Sequence, residues 1–128
     1  MPHCVIECPA SIEAAVNLDV LVKAVHDAAD SSGLFTPGDV KSRLTLYHHD
    51  MVGGRKNDYV HVTISLLSGR TTSQKKALSD TTARAVCELL PDTHFISVDV
   101  RDFCFESYCN RASLDDLDGG AIPAASRP

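Results

Sequence analysis

The strongest constraint on this 128-residue chain is a pattern of hydrophobic spacing that runs strand, helix, strand and then repeats. His3–Cys8 alternates, with Cys4, Ile6 and Cys8 on one face and His3, Val5 and Glu7 on the other. Asn17 is a plausible N-cap for a helix carrying Leu18, Leu21, Val22 and Val25 at i, i+3, i+4 and i+7, running to about Asp30 before Gly33. Pro37 and Gly38 mark a loop, and Val40–Tyr47 alternates again. After a polar stretch holding Gly53 and Gly54, which reads as a turn, Tyr59–Leu67 is the clearest strand. Thr71 and Gln74 form a possible capping box, ahead of a helix with Ala77, Leu78, Ala85, Val86 and Leu89 on one side. Pro91 ends that helix, and Ile96, Val98 and Val100 make a fourth strand.

Two βαβ units, at about 2–49 and 57–103, therefore stand in tandem. Right-handed crossovers make each strand pair parallel and place its helix on one face. The fold class is α/β (α+β), a four-stranded sheet with two helices on one side. The first 113 residues form one domain. Residues 114–128, rich in Asp, Ala, Gly and Pro without periodicity, are expected to be a flexible tail or to dock on a neighbouring subunit.

Charge and length exclude several functions. The net charge of −5 argues against nucleic acid or an anionic membrane as partner. The chain has no apolar run near the roughly 18 residues that span a bilayer, and its opening Met1-Pro2-His3 does not read as a secretory leader. A cytoplasmic protein is expected. Five cysteines, Cys4, Cys8, Cys87, Cys104 and Cys109, make an odd set without a CxxC pair, so most are expected to be reduced and packed as small apolar residues. His48, His49, His61 and His94 match no standard metal spacing, and neither a metal nor a cofactor is expected.

Pro2 is the first chemical candidate. Initiator methionine is commonly removed before proline, and the new terminus is then a secondary amine leading directly into a strand. A free α-amino group titrates near 7.7–8. Burial and neighbouring cations lower that value, leaving a neutral amine able to act as a general base at pH 7. Cations are the second candidate. Lys41 and Arg43 share strand parity, and Arg70 follows Gly69 at the end of the third strand. In a chain of negative net charge they read either as an anion site or as solvated strand-end charges.

PHCVIEC at the start, KSRLTLY in the middle and DYVHVTISLLSGRT later resemble the tautomerase superfamily, in particular its 5-carboxymethyl-2-hydroxymuconate isomerase branch, over roughly Pro2 to Arg111. The resemblance implies a homotrimer with active sites near subunit interfaces. It also implies a cofactor-independent reaction that moves a proton in an unsaturated keto or enol di- or tricarboxylate, in aromatic acid catabolism. It places Pro2 as the acid/base and maps the carboxylate-binding cations to Lys41 and Arg70, with Arg43 nearby. The family pattern has arginine where this chain has Lys41, and lysine keeps the charge but loses the bidentate fork. His3, beside the amine, is a candidate for tuning it, and Tyr47 and Phe35 are candidates for an apolar pocket wall. The same fold and proline also serve decarboxylation, hydration and dehalogenation. A non-catalytic trimeric binding protein is the further alternative, favoured if Met1 is retained, because Pro2 nitrogen is then an amide.

Overall fold

The computed structural model describes residues 1–119. Its sheet has the order β2-β1-β3-β4, built from β1 (His3–Pro9), β2 (Lys41–Tyr47), β3 (Tyr59–Leu67) and β4 (Phe95–Phe103). β1 pairs in parallel with β2, and β3 with β4, while β1 and β3 meet antiparallel at the centre. Each parallel pair is joined through a helix, α1 (Leu18–Asp30) or α2 (Thr72–Leu89), and the two helices pack together over one face of the sheet. This is the tandem βαβ arrangement that the spacing predicts.

Local chemistry sets the element ends. The Asn17 side chain accepts from the Asp19 and Val20 amides and caps α1. Thr71 and Gln74 complete a reciprocal capping box on α2. Gly53 and Gly54, at φ 60° and 82°, turn the chain between Val52 and Arg55, whose backbones bond to each other. Left-handed φ at two successive positions is the geometry that glycine adopts without steric cost.

The core lies between the sheet and the two helices. Cys4, Ile6 and Cys8 of β1 and Val60, Val62, Ile64 and Leu66 of β3 meet Leu21 and Val25 of α1 and Leu78 and Val86 of α2. α2 departs from expectation at two positions. Ala77 is exposed, and Thr82 is fully buried between Leu78 and Val86. The i, i+4, i+8 spacing of 78, 82 and 86 turns Thr82 inward, and its hydroxyl donates to the Leu78 carbonyl (2.8 Å), so the polar group is satisfied within the helix. The cysteines also divide differently. Cys4 and Cys8 are buried, and their thiols are pushed up to about 11 chiefly by burial; Cys87, Cys104 and Cys109 are exposed, and all five are free.

Beyond β4, Phe105–Ser107 forms a 3-10 turn and Arg111–Gly119 a third helix, α3. The boundary expected near residue 113 falls inside α3. Of the tail expected over 114–128, residues 114–119 fall in α3 and residues 120–128 lie outside the described residues.

Candidate active site

Strand direction decides which residues meet. β1 and β2 begin at the end of the sheet where β3 and β4 finish, because the central pair is antiparallel. The chain start, the start of β2, the loop after β3 and the end of β4 are thus gathered at one end. Pro2 lies there, immediately before the central strand, with its carbonyl accepting from the Lys41 amide (3.0 Å). The start of the chain is anchored: Met1 is 8% exposed and Pro2 is fully buried.

The terminal amine, carried here by Met1, donates to the Asp39 carbonyl (3.2 Å). Lys41 Nζ donates to the same oxygen (2.8 Å), so amine and ammonium are near neighbours. Burial lowers the amine from 8.0 to about 6, helped by the Lys41 side chain and the Arg70 charge and opposed by Asp39. Two of the three sequence-derived cations therefore act directly on the terminal amine.

Arg70 is held by the fold. Its guanidinium donates to the Leu67 carbonyl (3.1 Å) and the Leu34 carbonyl (2.6 Å) and lies 5.2 Å from the centroid of the Phe35 ring. These contacts tie the loop after α1 to the end of β3 and use two of the five guanidinium donors, leaving three. Arg43 stands on the sheet face away from the helices and donates to His3 Nδ1 (2.9 Å). Guanidinium is always a donor, so the His3 ring is neutral at Nδ1. Burial and then the Arg43, Lys41 and terminal-amine charges lower the His3 pKa.

Of the two aromatic residues proposed as pocket wall, Tyr47 is placed elsewhere and Phe35 lies under Arg70. Tyr47 ends β2 at the opposite end of the sheet and donates its hydroxyl to Glu7. There it lines a separate cleft of about 700 Å³ together with His48, Asp58, His94 and Phe95, and Pro2 takes no part in that lining. Strand parity put Tyr47 on the same face as Arg43 but is blind to distance along the strand. Phe35 is buried beneath Arg70 and supports the cation. On the open face at the same end of the sheet, Phe103, at the end of β4, meets the His3 ring edge-on at 6.3 Å and stacks on Tyr108. Phe103 has the opposite parity to Ile96, Val98 and Val100, so the alternation that marks the core face of β4 passes it over. Tyr108 left no periodic signal because it follows an irregular turn. Among the described residues, no group of three His, Cys, Asp or Glu side chains is placed to hold a metal ion, and no helix is long and apolar enough to cross a membrane.

The family model for 5-carboxymethyl-2-hydroxymuconate isomerase matches residues 2–103, from the proline to the end of β4. The chain belongs to this family. It is an isomerase of tautomerase fold. The fold is shared with a 5-carboxymethyl-2-hydroxymuconate delta-isomerase at TM-score 0.72, with 15% identity and 87% of each chain covered. A 5-carboxymethyl-2-hydroxymuconate isomerase from Deinococcus radiodurans R1 superposes at TM-score 0.74, with 14% identity over 86% of this isomerase and 88% of that chain. A fused 4-OT protein, solved as a symmetric trimer, superposes at 0.67 with 24% identity over 93% and 98% of the two chains. No curated protein matches the isomerase by sequence.

Proposed function

We propose that this isomerase moves a proton within an unsaturated keto or enol di- or tricarboxylate, of the 5-carboxymethyl-2-hydroxymuconate type, with Pro2 as the acid/base after removal of Met1. The observation that carries the reading is the setting of the terminal amine. It stands at the head of the central strand, lowered to about 6 by burial and by Lys41. With Met1 removed, the Pro2 amine stands at the head of β1 beside the Lys41 backbone, where burial and neighbouring cations favour its neutral form.

The reaction then balances with this chain's own groups. The neutral Pro2 nitrogen takes the proton of the enol hydroxyl. The oxygen lone pair forms the ketone as the double bonds shift, and the ammonium returns the proton to the remote carbon. Lys41 and the free donors of Arg70 hold carboxylates and stabilise the developing enolate charge. Arg43 assists from β2. The ring-cleavage catabolism of aromatic acids is the metabolic setting proposed, and no cofactor is required by these steps.

A homotrimer is proposed as the working assembly. Among the described residues, β2 and β4 are the edge strands of the sheet, and edge strands favour pairing with another chain; the 4-OT protein was solved as a trimer. A cytoplasmic location is proposed from the three exposed free thiols, which suit a reducing compartment.

Intact mass and phenylpyruvate tautomerisation test the reading. The purified protein is expected to lack Met1, and Pro2→Ala to slow turnover by about 10²- to 10⁴-fold, the usual range for a positioned general acid/base. Retained Met1, or a rate indifferent to Pro2, would remove the proline mechanism.

A further inference from the structure

On the open face of the sheet, at the end that holds the terminal amine, a row of rings runs away from the cations. Arg43 on β2 donates to His3 Nδ1 at 2.9 Å. His3 on β1 meets Phe103 on β4 edge-on, at 6.3 Å and 89°. Phe103 in turn stacks on Tyr108, at 5.6 Å and 28°. The 3-10 turn Phe105–Ser107 brings Tyr108 back against the strand it has just left.

These rings do not belong to the core. The buried cluster lies on the helix-covered face and excludes both Phe103 and Tyr108, which remain half-buried. An aromatic pair in a stacked geometry is held more firmly than its buried area alone requires. The His3 ring is held between a guanidinium on one flank and a ring on the other, so its orientation is constrained from both sides.

The arrangement has a direction. Lys41 and Arg43 lie on the β2 side of β1, and Phe103 with Tyr108 on the β4 side, with the chain start between them. β3 lies between β1 and β4, so a molecule whose carboxylate is held by the cations meets Phe103 only by extending across β1 and β3. A planar conjugated or aryl chain presents a π face to that wall.

We propose that Phe103, backed by Tyr108, is a specificity-determining residue that selects planar aryl-bearing or extended conjugated carboxylates over short aliphatic ones. The proposal rests on the placement of the substrate site at the terminal amine. Selection is separate from catalysis, so it is read by binding of acids that carry no enolisable ketone.

Calorimetric titration with trans-cinnamate and crotonate tests it, since both are propenoates and one carries the phenyl ring. Wild type is expected to bind cinnamate about tenfold more tightly, and Phe103→Ala to erase most of that ratio while leaving crotonate affinity unchanged. Phe103→Leu keeps apolar bulk without a ring face, and it lowers the ratio even if the alanine variant fails to fold. Equal affinities in wild type, no cinnamate binding in wild type, or a ratio unchanged in a folded Phe103 variant would each overturn the proposal. Pro2→Ala separates the two claims. Turnover indifferent to this substitution removes the proline mechanism, whereas a cinnamate preference lost only in Phe103 variants sustains the wall.

Discussion

Lys41→Gln is the most informative single perturbation of the site, because the structure gives Lys41 a measurable effect before any substrate binds. The terminal amine titrates at about 6 instead of 8.0. At pH 7 a group of pKa 6 is about nine-tenths neutral, whereas one of pKa 8 is about one-tenth neutral. Burial is the largest cause, and the hydrogen bond and charge of Lys41 come next. Glutamine removes the charge and leaves burial in place, so the amine is expected to settle between 6 and 8.0. The neutral fraction at pH 7 is then expected to fall below nine-tenths while staying above one-tenth, a loss of base form of less than about ninefold. The assay is the pH dependence of acetylation of the terminal amine by acetic anhydride, followed by mass, on both Met1-bearing and processed protein. It needs no substrate, so a change in carboxylate binding does not confuse it. A wild-type midpoint at 8 would refute the burial argument. A midpoint unmoved by Lys41→Gln would refute the placement of the lysine beside the amine.

Other consequences follow from the same geometry. Both the terminal amine and His3 have lowered pKa values, so the unfolded chain binds more protons between the folded and unfolded values, and stability rises with pH through those windows. The urea midpoint is expected to rise from pH 5.5 to pH 8, and a falling midpoint would contradict the assignment. Ile64→Ala, in the centre of β3 with no exposed surface, is expected to cost about 2–5 kcal/mol in urea unfolding. Thr71→Ala, which breaks the α2 capping box, is expected to cost about 1 kcal/mol in the same assay. Native protein titrated with a thiol reagent is expected to react rapidly at the three exposed cysteines, Cys87, Cys104 and Cys109, with Cys4 and Cys8 following only on unfolding.

Much of the architecture was legible in the residue order because its signals are local. Period-two alternation in Tyr59–Leu67 gave a strand with those bounds, since side chains on successive residues of a strand face opposite sides. Asn17 and the Thr71–Gln74 pair marked helix starts because capping is a contact among neighbours in the chain. Where two periodicities compete the reading was weaker. Thr82 was passed over because its side chain is polar, although helical geometry places it in the buried stripe and lets it satisfy its hydroxyl locally.

The site divides along the same line. By itself the sequence determined the tandem βαβ units, the position of Pro2 at the head of a strand, and the shared parity of Lys41 and Arg43. Only the tertiary structure decided which of these come together. The antiparallel meeting of β1 and β3 brings the chain start to the end of β4, sets Phe103 against His3, and leaves Tyr47 at the far end of the sheet. It also gives Arg70 a structural task at the Leu34 carbonyl and the Phe35 ring, contacts 36 residues away for the carbonyl alone. Periodicity reports which face a side chain takes within its own element. Strand order and direction decide which end of another element it meets, and those are set by how the two units pack across β1 and β3.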